Sequence, residues 1–312
     1  MLIFKDLSVE IPGTNAHFFD LDQFSDNSKD DALLYGWNNL FSNILFDKIK
    51  YYKRKIYFNV TMPTEFCGEF DLHLNDKFDE VWTICPYSVK WLNNIQQTEK
   101  YKCIWYPMNI KYIPTSQSKL YDVCYHGGIH GQKYIEMLNI ISKFNYRYMS
   151  MTQGINVMTR QNLQFATDLN LTNQEKLSRV AQCKISICYN SFFARDTNDV
   201  NNIKKQPRWF DNRAFCDIDA GRLIPQLKSR FIEASLCKTV NLVERDLWNV
   251  VEQWYEPDKH FIYFEGNDDL QSKIEMVLNN WDNMQNMIED AFNLSKNKYG
   301  CDSLIERINA RN

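Results

Sequence analysis

The chain has 312 residues, 44% of them hydrophobic and 24% charged, with a formal net charge of −3. That is ordinary for a soluble globular chain with one large domain or two of about 150 residues. A pI near 6.0 excludes a protein that holds polyanions by bulk charge, so any nucleic-acid contact needs a local basic patch.

Nine cysteines form no CxxC pair. Cys183 and Cys188 lie in the apolar run "CKISICY" and read as buried small hydrophobes rather than metal ligands. Free thiols at this density point to a reducing, cytosolic setting. The N-terminus has no basic region followed by a long apolar one, as a signal peptide would. No segment has the ~18 consecutive apolar residues of a membrane span.

The first third offers strands at "HFFDL", "KIYFNVTM" and "EVWTICPY", with a helix predicted over "ALLYGWNNLFSNILFDKI". This alternation predicts an α/β layer with a parallel sheet. Between them "KIKYYKRK" is the densest basic run, with Lys48, Lys50, Lys53, Arg54 and Lys55 around Tyr51 and Tyr52. It suits either a polyanionic acceptor or a solvated helix end. "YPMNIKYIPTSQSK" has two prolines and no helical period. It reads as a linker with a boundary near Ser116, giving domains 1–116 and 117–312.

The second half restarts the alternation. Strands are predicted at "YDVCYHG", "YRYMSM", "KISICYN", "TVNLVERD" and "HFIYFE". Helices are predicted at "KYIEMLNIISKF", "NQEKLSRVAQC", "LKSRFIEASLCK" and "NDDLQSKIEMVLNNW", the last N-capped by Asn267 or Asp268. The remainder from Asp282 is mostly helical.

Three features carry chemistry. "DVCYHGGIHGQK" holds three of only ten glycines and two of five histidines, between a strand and a helix. Gly127, Gly128 and Gly131 let backbone approach an anion at a helix N-terminus, and Lys133 sits in the first turn. His126, ahead of His130, is the better donor to a phosphate or sugar hydroxyl, though either histidine also suits a turn cap. In "KSRFIEAS", Lys228 and Arg230 crowd a helix N-terminus, where the macrodipole disfavours cations unless an anion lies between them. Glu233 shares a face with Arg230, as either a ribose ligand or a plain ion-pair partner. "CDIDAG" contains Asp217 and Asp219 in a D-x-D pattern that suits Mn²⁺ or Mg²⁺, but in an unsupported loop context.

"KSRFIEASLCKTVNLVERD" followed by "QWYEPDKHFIYFEGNDDLQSKIEMVLNN" resembles the C-terminal half of GT-B glycosyltransferases, over roughly Tyr121 to Gly300. The nearest likeness is to phage DNA β-glucosyltransferases, through "DVCYHGGIHGQK", "SRFIE", "KRKIYFNVT" and "WYPMNIKYI". The resemblance implies two Rossmann-like domains with the active site in the cleft between them. The first would bind the acceptor; the second would bind a nucleotide-sugar, and its C-terminal helix would pack back on the first.

By position it implies that His126, Gly127, Gly128, Lys133, Lys228 and Arg230 meet the donor, a UDP-sugar by preference, and that Glu233 holds its ribose. Retaining relatives carry a Glu eight positions before the Glu233 equivalent, where this chain has Pro225. That departure points to inversion, which needs a general base beyond a strand of the first half. Glu65, in "TMPTEFCGEFD", is the first candidate, with Asp71 second and Glu69 beside them. No divalent metal or other cofactor is expected. The expected activity is hexosyl or pentosyl transfer to a hydroxyl acceptor. The acidic pI favours a glycan or protein; the short matches favour a hydroxymethylated DNA base. The alternative is a non-catalytic nucleotide- or carbohydrate-binding protein on the same fold.

Overall fold

A computed structural model describes residues 2–5, 26–28, 30–36, 47–59, 76–84, 89, 93–94, 96–105, 107–114, 117–129, 131–150, 157–193, 223–225, 227–246 and 249–310. They group into two units. Described residues up to 105, with 193 and 223–225, belong to the first, and those at 107–192 and from 227 onward to the second. The predicted boundary residue Ser116 lies outside the described residues, as do "HFFDL", Glu65, Glu69, Asp71, His130, Asp217 and Asp219.

The first unit carries a five-stranded sheet of β1 (Leu2–Lys5), β2 (Asp31–Gly36), β3 (Arg54–Asn59), β4 (Glu80–Thr83) and β5 (Tyr101–Cys103). The strands lie in the order 1-2-3-4-5, every neighbouring pair parallel. β2 corrects the predicted helix, because Ala32, Leu33 and Leu34 are all fully buried. A parallel strand covered on both faces reads as an unbroken apolar run, which periodicity cannot tell from a buried helix.

The basic run is largely spent on ion pairs at the amino ends of these strands. Lys53 meets Asp30 at 2.6 Å, Lys55 meets Asp79 at 3.2 Å, and Arg54 meets Glu80 at 2.6 Å. Lys102 joins Glu80 at 2.9 Å. Burial alone would raise the Glu80 carboxyl; Lys102, Trp82 and Arg54 hold it below its usual value.

The second unit carries a six-stranded sheet. Its strands are β6 (Tyr121–His126), β7 (Tyr146–Ser150), β8 (Asp168–Leu169), β9 (Cys183–Cys188), β12 (Val240–Glu244) and β13 (Ile262–Phe264). Two further short strands, β10 (Ser191–Phe193) and β11 (Leu223–Pro225), lie outside this sheet. The helices are α1 (Gln132–Ile141), α2 (Val157–Gln161), α3 (Asn173–Ala181), α4 (Ser229–Leu236), α5 (Gly266–Asn279), α6 (Gln285–Lys298) and α7 (Cys301–Asn309). α5 starts at Gly266 with Glu265 as its cap residue, two positions before Asn267 and three before Asp268, which corrects the predicted cap.

The strand order is 13-12-9-6-7-8, all parallel. From β6 the chain steps outward through β7 and β8, then returns to the other side of β6 for β9, β12 and β13. Because βαβ crossovers are right-handed, helices made on the outward and return legs lie on opposite faces. α1 packs with α5, and α4 packs with α3 and α6. Tyr134, Met137 and Leu138 of α1 are buried with Leu270, Ile274 and Val277 of α5 in one cluster with the sheet. α3 is fixed at its start by a capping box, in which Thr172 and Glu175 satisfy each other's backbone N–H.

The winding reverses between β6 and β9. In open parallel sheets such a reversal leaves a crevice outside the carboxyl ends of those two strands, because their connections depart to opposite faces.

Candidate functional site

Of the residues singled out in the sequence, the described ones His126, Gly127, Lys228 and Arg230 gather around that crevice. His126 ends β6 and is buried. Gly127 follows with φ +137°, a conformation that side chains disfavour. A second constraint acts on it: a Cβ added there would lie 2.1 Å from Nη2 of Arg230. The glycine is therefore required by a close approach as well as by a turn. Tyr125, fully buried on β6, donates its hydroxyl to the Gly128 carbonyl at 2.7 Å, and Tyr148 donates to the Gly127 carbonyl at 3.3 Å. Two phenols thereby hold the carbonyls of the loop.

Arg230 enters from the first turn of α4. Its Nη1 donates to the Tyr125 hydroxyl at 2.9 Å, and its guanidinium lies 4.9 Å from the Tyr125 ring centroid. Among the described residues no carboxylate pairs with it, Glu233 included. The ion pair that the i,i+3 spacing allows does not form. Lys228 is the cap residue of α4, and its backbone N–H donates to Asn190 Oδ1 at 3.0 Å. Asn190, fully buried just after β9, thus anchors the helix start at the switch point. Burial, then the charge of Arg230, pushes the Lys228 ammonium down to about 7.

Glu233 faces inward. It is 1% exposed, with Lys176 of α3 at 2.8 Å and His126 Nε2 at 3.1 Å from Oε2. Burial alone would raise its carboxyl, but the Lys176 ammonium and the His126 imidazole hold it well below the usual carboxylate range. A carboxylate so enclosed needs both partners, since removing one leaves a buried charge uncompensated.

Lys133, in the first turn of α1, meets Glu244 at 2.6 Å. Its ammonium also lies 5.0 Å from the Tyr189 ring centroid and 5.9 Å from that of Tyr134. Lys133, Lys228 and Arg230 are thus three cations around the ends of three adjacent strands, β6, β9 and β12. Sequence reasoning did not single out Tyr125, Lys176, Asn190 or Glu244. Tyr125 and Asn190 adjoin predicted strand ends, where a search of the residues flanking each strand would have found them. Lys176 carries no local signal, because its role depends on α3 packing beside α4.

The predicted thiols Cys183 and Cys188 are buried and free. No helix among the described residues is long and apolar enough to cross a membrane.

Two parallel-sheet units, the second doubly wound with cations at its switch point, define an α/β fold. Residues 217–310, under a third of the chain, match the glycosyl transferase-like family. No curated protein matches the chain by sequence. Solved structures do. The chain is 13% identical to TarM, with 93% of this chain and 56% of that one covered at a TM-score of 0.56. It is 11% identical to Anabaena HepE in complex with UDP and glucose, covering 89% and 77% at 0.57. It is 8% identical to the pneumococcal O-GlcNAc transferase GtfA in complex with UDP and GlcNAc, covering 93% and 57% at 0.53. The chain thus spans little more than half the length of two of these proteins. At such identities the likeness is one of fold, and the fold is GT-B.

Proposed function

We propose that the protein is a glycosyltransferase that moves a sugar from a nucleotide-diphosphate sugar, by preference a UDP-sugar, to a hydroxyl acceptor. The observation that carries this reading is Arg230. A guanidinium cannot shed its charge, and here it sits at a helix N-terminus and a sheet switch point with a phenol as its partner. Three further features favour the same ligand: the Gly127 backbone beneath it, the α4 amides and the neighbouring Lys228. Together they form a positive field that a diphosphate would neutralise. The presence of UDP in the HepE and GtfA complexes supports uridine as the base.

In this reading the diphosphate lies across Gly127 and Gly128 against Arg230, Lys228 and Lys133, while Glu233 serves the ribose from its place beside His126 and Lys176. Transfer proceeds with inversion and without a divalent metal. Helix amides and cations stabilise the leaving diphosphate, and Glu65, or Asp71 in its stead, takes the acceptor's proton. The acceptor is a glycan or protein hydroxyl, with a hydroxymethylated DNA base as the alternative. Paired cations in the "KIKYYKRK" run favour the first, because Lys53, Arg54 and Lys55 are already neutralised.

Calorimetry with UDP, GDP and their glucose and N-acetylglucosamine derivatives tests the binding. Donor hydrolysis without acceptor, with and without EDTA, tests the chemistry. Binding with no hydrolysis or transfer to any acceptor would make the chain a nucleotide-binding protein on the same fold. Activity abolished by EDTA and restored by Mn²⁺ would overturn metal independence and bring Asp217 and Asp219 forward as ligands.

A further inference from the structure

Glu244 closes β12, two strands from β6 in the sheet order. Neighbouring strands lie about 4.8 Å apart, so the two strand ends are about 10 Å from one another. Glu244 is drawn out of bulk water, its side chain only 13% exposed, with Lys133 at 2.6 Å. Among the described residues Lys133 is the one partner it has. A carboxylate has about four acceptor positions, so most of its capacity is unused. Its oxygens stay within reach of solvent, so a ligand's donors can meet them.

The pair is held in place. The Lys133 backbone carbonyl accepts from Asn267 Nδ2 at 2.7 Å, while Asn267 Oδ1 accepts from the Tyr189 hydroxyl at 2.9 Å. Tyr189 itself lies under the Lys133 ammonium. Residues following β9 and at the start of α5 thereby set where the ammonium, and with it the carboxylate, can be.

We propose that Glu244 is the residue that reads the transferred sugar, accepting hydrogen bonds from ring hydroxyls while Lys133 faces the phosphate to which that sugar is bonded. This rests on the nucleotide-sugar reading above. A sugar linked to the distal phosphate is the donor's only part that presents several hydroxyls next to that phosphate besides the ribose. Two hydroxyls on one carboxylate supply the missing donors, and a carboxylate bound to the same ammonium as the phosphate is within reach of them.

Calorimetry on the full chain decides it, using UDP, UDP-glucose, UDP-galactose and UDP-N-acetylglucosamine as probes. Glu244→Gln and Glu244→Ala are expected to cut the ratio of UDP-sugar to UDP affinity by about 10–100-fold, the loss of charge-assisted hydrogen bonds. UDP itself should bind as tightly or more tightly, since Lys133 keeps its charge and loses a competing anion. UDP binding then also reports that each variant is folded. An unchanged ratio in both variants, with UDP still bound, overturns the proposal alone. Loss of UDP binding together with the sugars also overturns it, because Glu244 would then serve only to place Lys133. A parent protein that binds none of the four probes overturns both this inference and the nucleotide-sugar reading beneath it.

Discussion

The two sheets use the same kind of strand and the same kind of charge, but differently. In the first unit the order 1-2-3-4-5 winds one way, so among the described strands there is no reversal to open a crevice. Its cations sit at the amino ends of strands and are matched by acids: Arg54 to Glu80 and Asp31, Lys55 to Asp79, Lys102 to Glu80. In the second unit the order 13-12-9-6-7-8 reverses at β6, and Arg230 at the carboxyl edge has a phenol where Arg54 has carboxylates. Arg54 is neutralised by its own acids, whereas Arg230, with no carboxylate among the described residues, is left open to an anion. The difference lies in the edge of the sheet and the partner, not in residue type.

The largest expected effect tests whether the first unit contributes chemistry at all. Glu65→Ala should lower kcat by about 10²–10⁴-fold with donor Kd little changed, as measured by steady-state kinetics beside calorimetry. Asp71 and Glu69, changed singly, serve as controls. A larger loss at Asp71 moves the base but keeps the mechanism. Less than about tenfold loss at all three, or a product of retained anomeric configuration, overturns the inverting-base proposal.

The next effect sharpens the contrast between the two arginines. Arg230→Ala should weaken UDP binding by about 30–150-fold, the loss of a charge-assisted contact worth about 2–3 kcal/mol. Its melting temperature should hold or rise, since an uncompensated cation has gone. Gly127→Ala should copy the binding defect, because its Cβ and the guanidinium claim the same space. Arg54→Met should do the opposite, lowering stability by about 1–3 kcal/mol through the exposed need of Glu80 while leaving UDP affinity alone. Equal affinities in parent and folded Arg230→Ala would return Arg230 to the same architectural role as Arg54.

How much of this was legible in the sequence follows from the same contrast. The second unit's strands and helices were readable because "KYIEMLNIISKF" and "NQEKLSRVAQC" cover one face each, which leaves a 3.6-residue period. β2 was not, because Ala32, Leu33 and Leu34 are buried on both sides and carry no period. At the site, Gly127 and Arg230 were found separately, one from glycine scarcity and the other from a cation at a helix start. Their contact was not, since 103 positions of chain separate them and only the fold brings them together. The Lys176–Glu233 and Lys133–Glu244 pairs were invisible for the same reason.

The smallest effect concerns Lys228, the other cation at the start of α4. Its ammonium is pushed down to about 7, by burial and then by Arg230, against about 10.4 for an unperturbed lysine. Between those values the unfolded chain holds a proton that the folded one has lost, so the stability of the ligand-free protein should rise with pH across that window. Donor binding should run the other way. An anion beside Lys228 favours its charged form, so affinity is greatest below about pH 7 and falls above it, by no more than about tenfold per pH unit. An intact UDP-sugar is the right probe, because its pyrophosphate has no proton to exchange in this range. The neighbouring Cys188 thiol does not interfere, since burial pushes it up to about 12. Melting curves and calorimetry from pH 6 to 9 should therefore show stability and affinity moving in opposite directions, and Lys228→Met should flatten the affinity profile while leaving the part of the stability rise that Lys119, pushed down to about 8 by burial, supplies. An affinity that stays level across that range in the parent would mean that no anion comes near Lys228. The diphosphate would then have to rest on Arg230 and the Gly127 backbone alone.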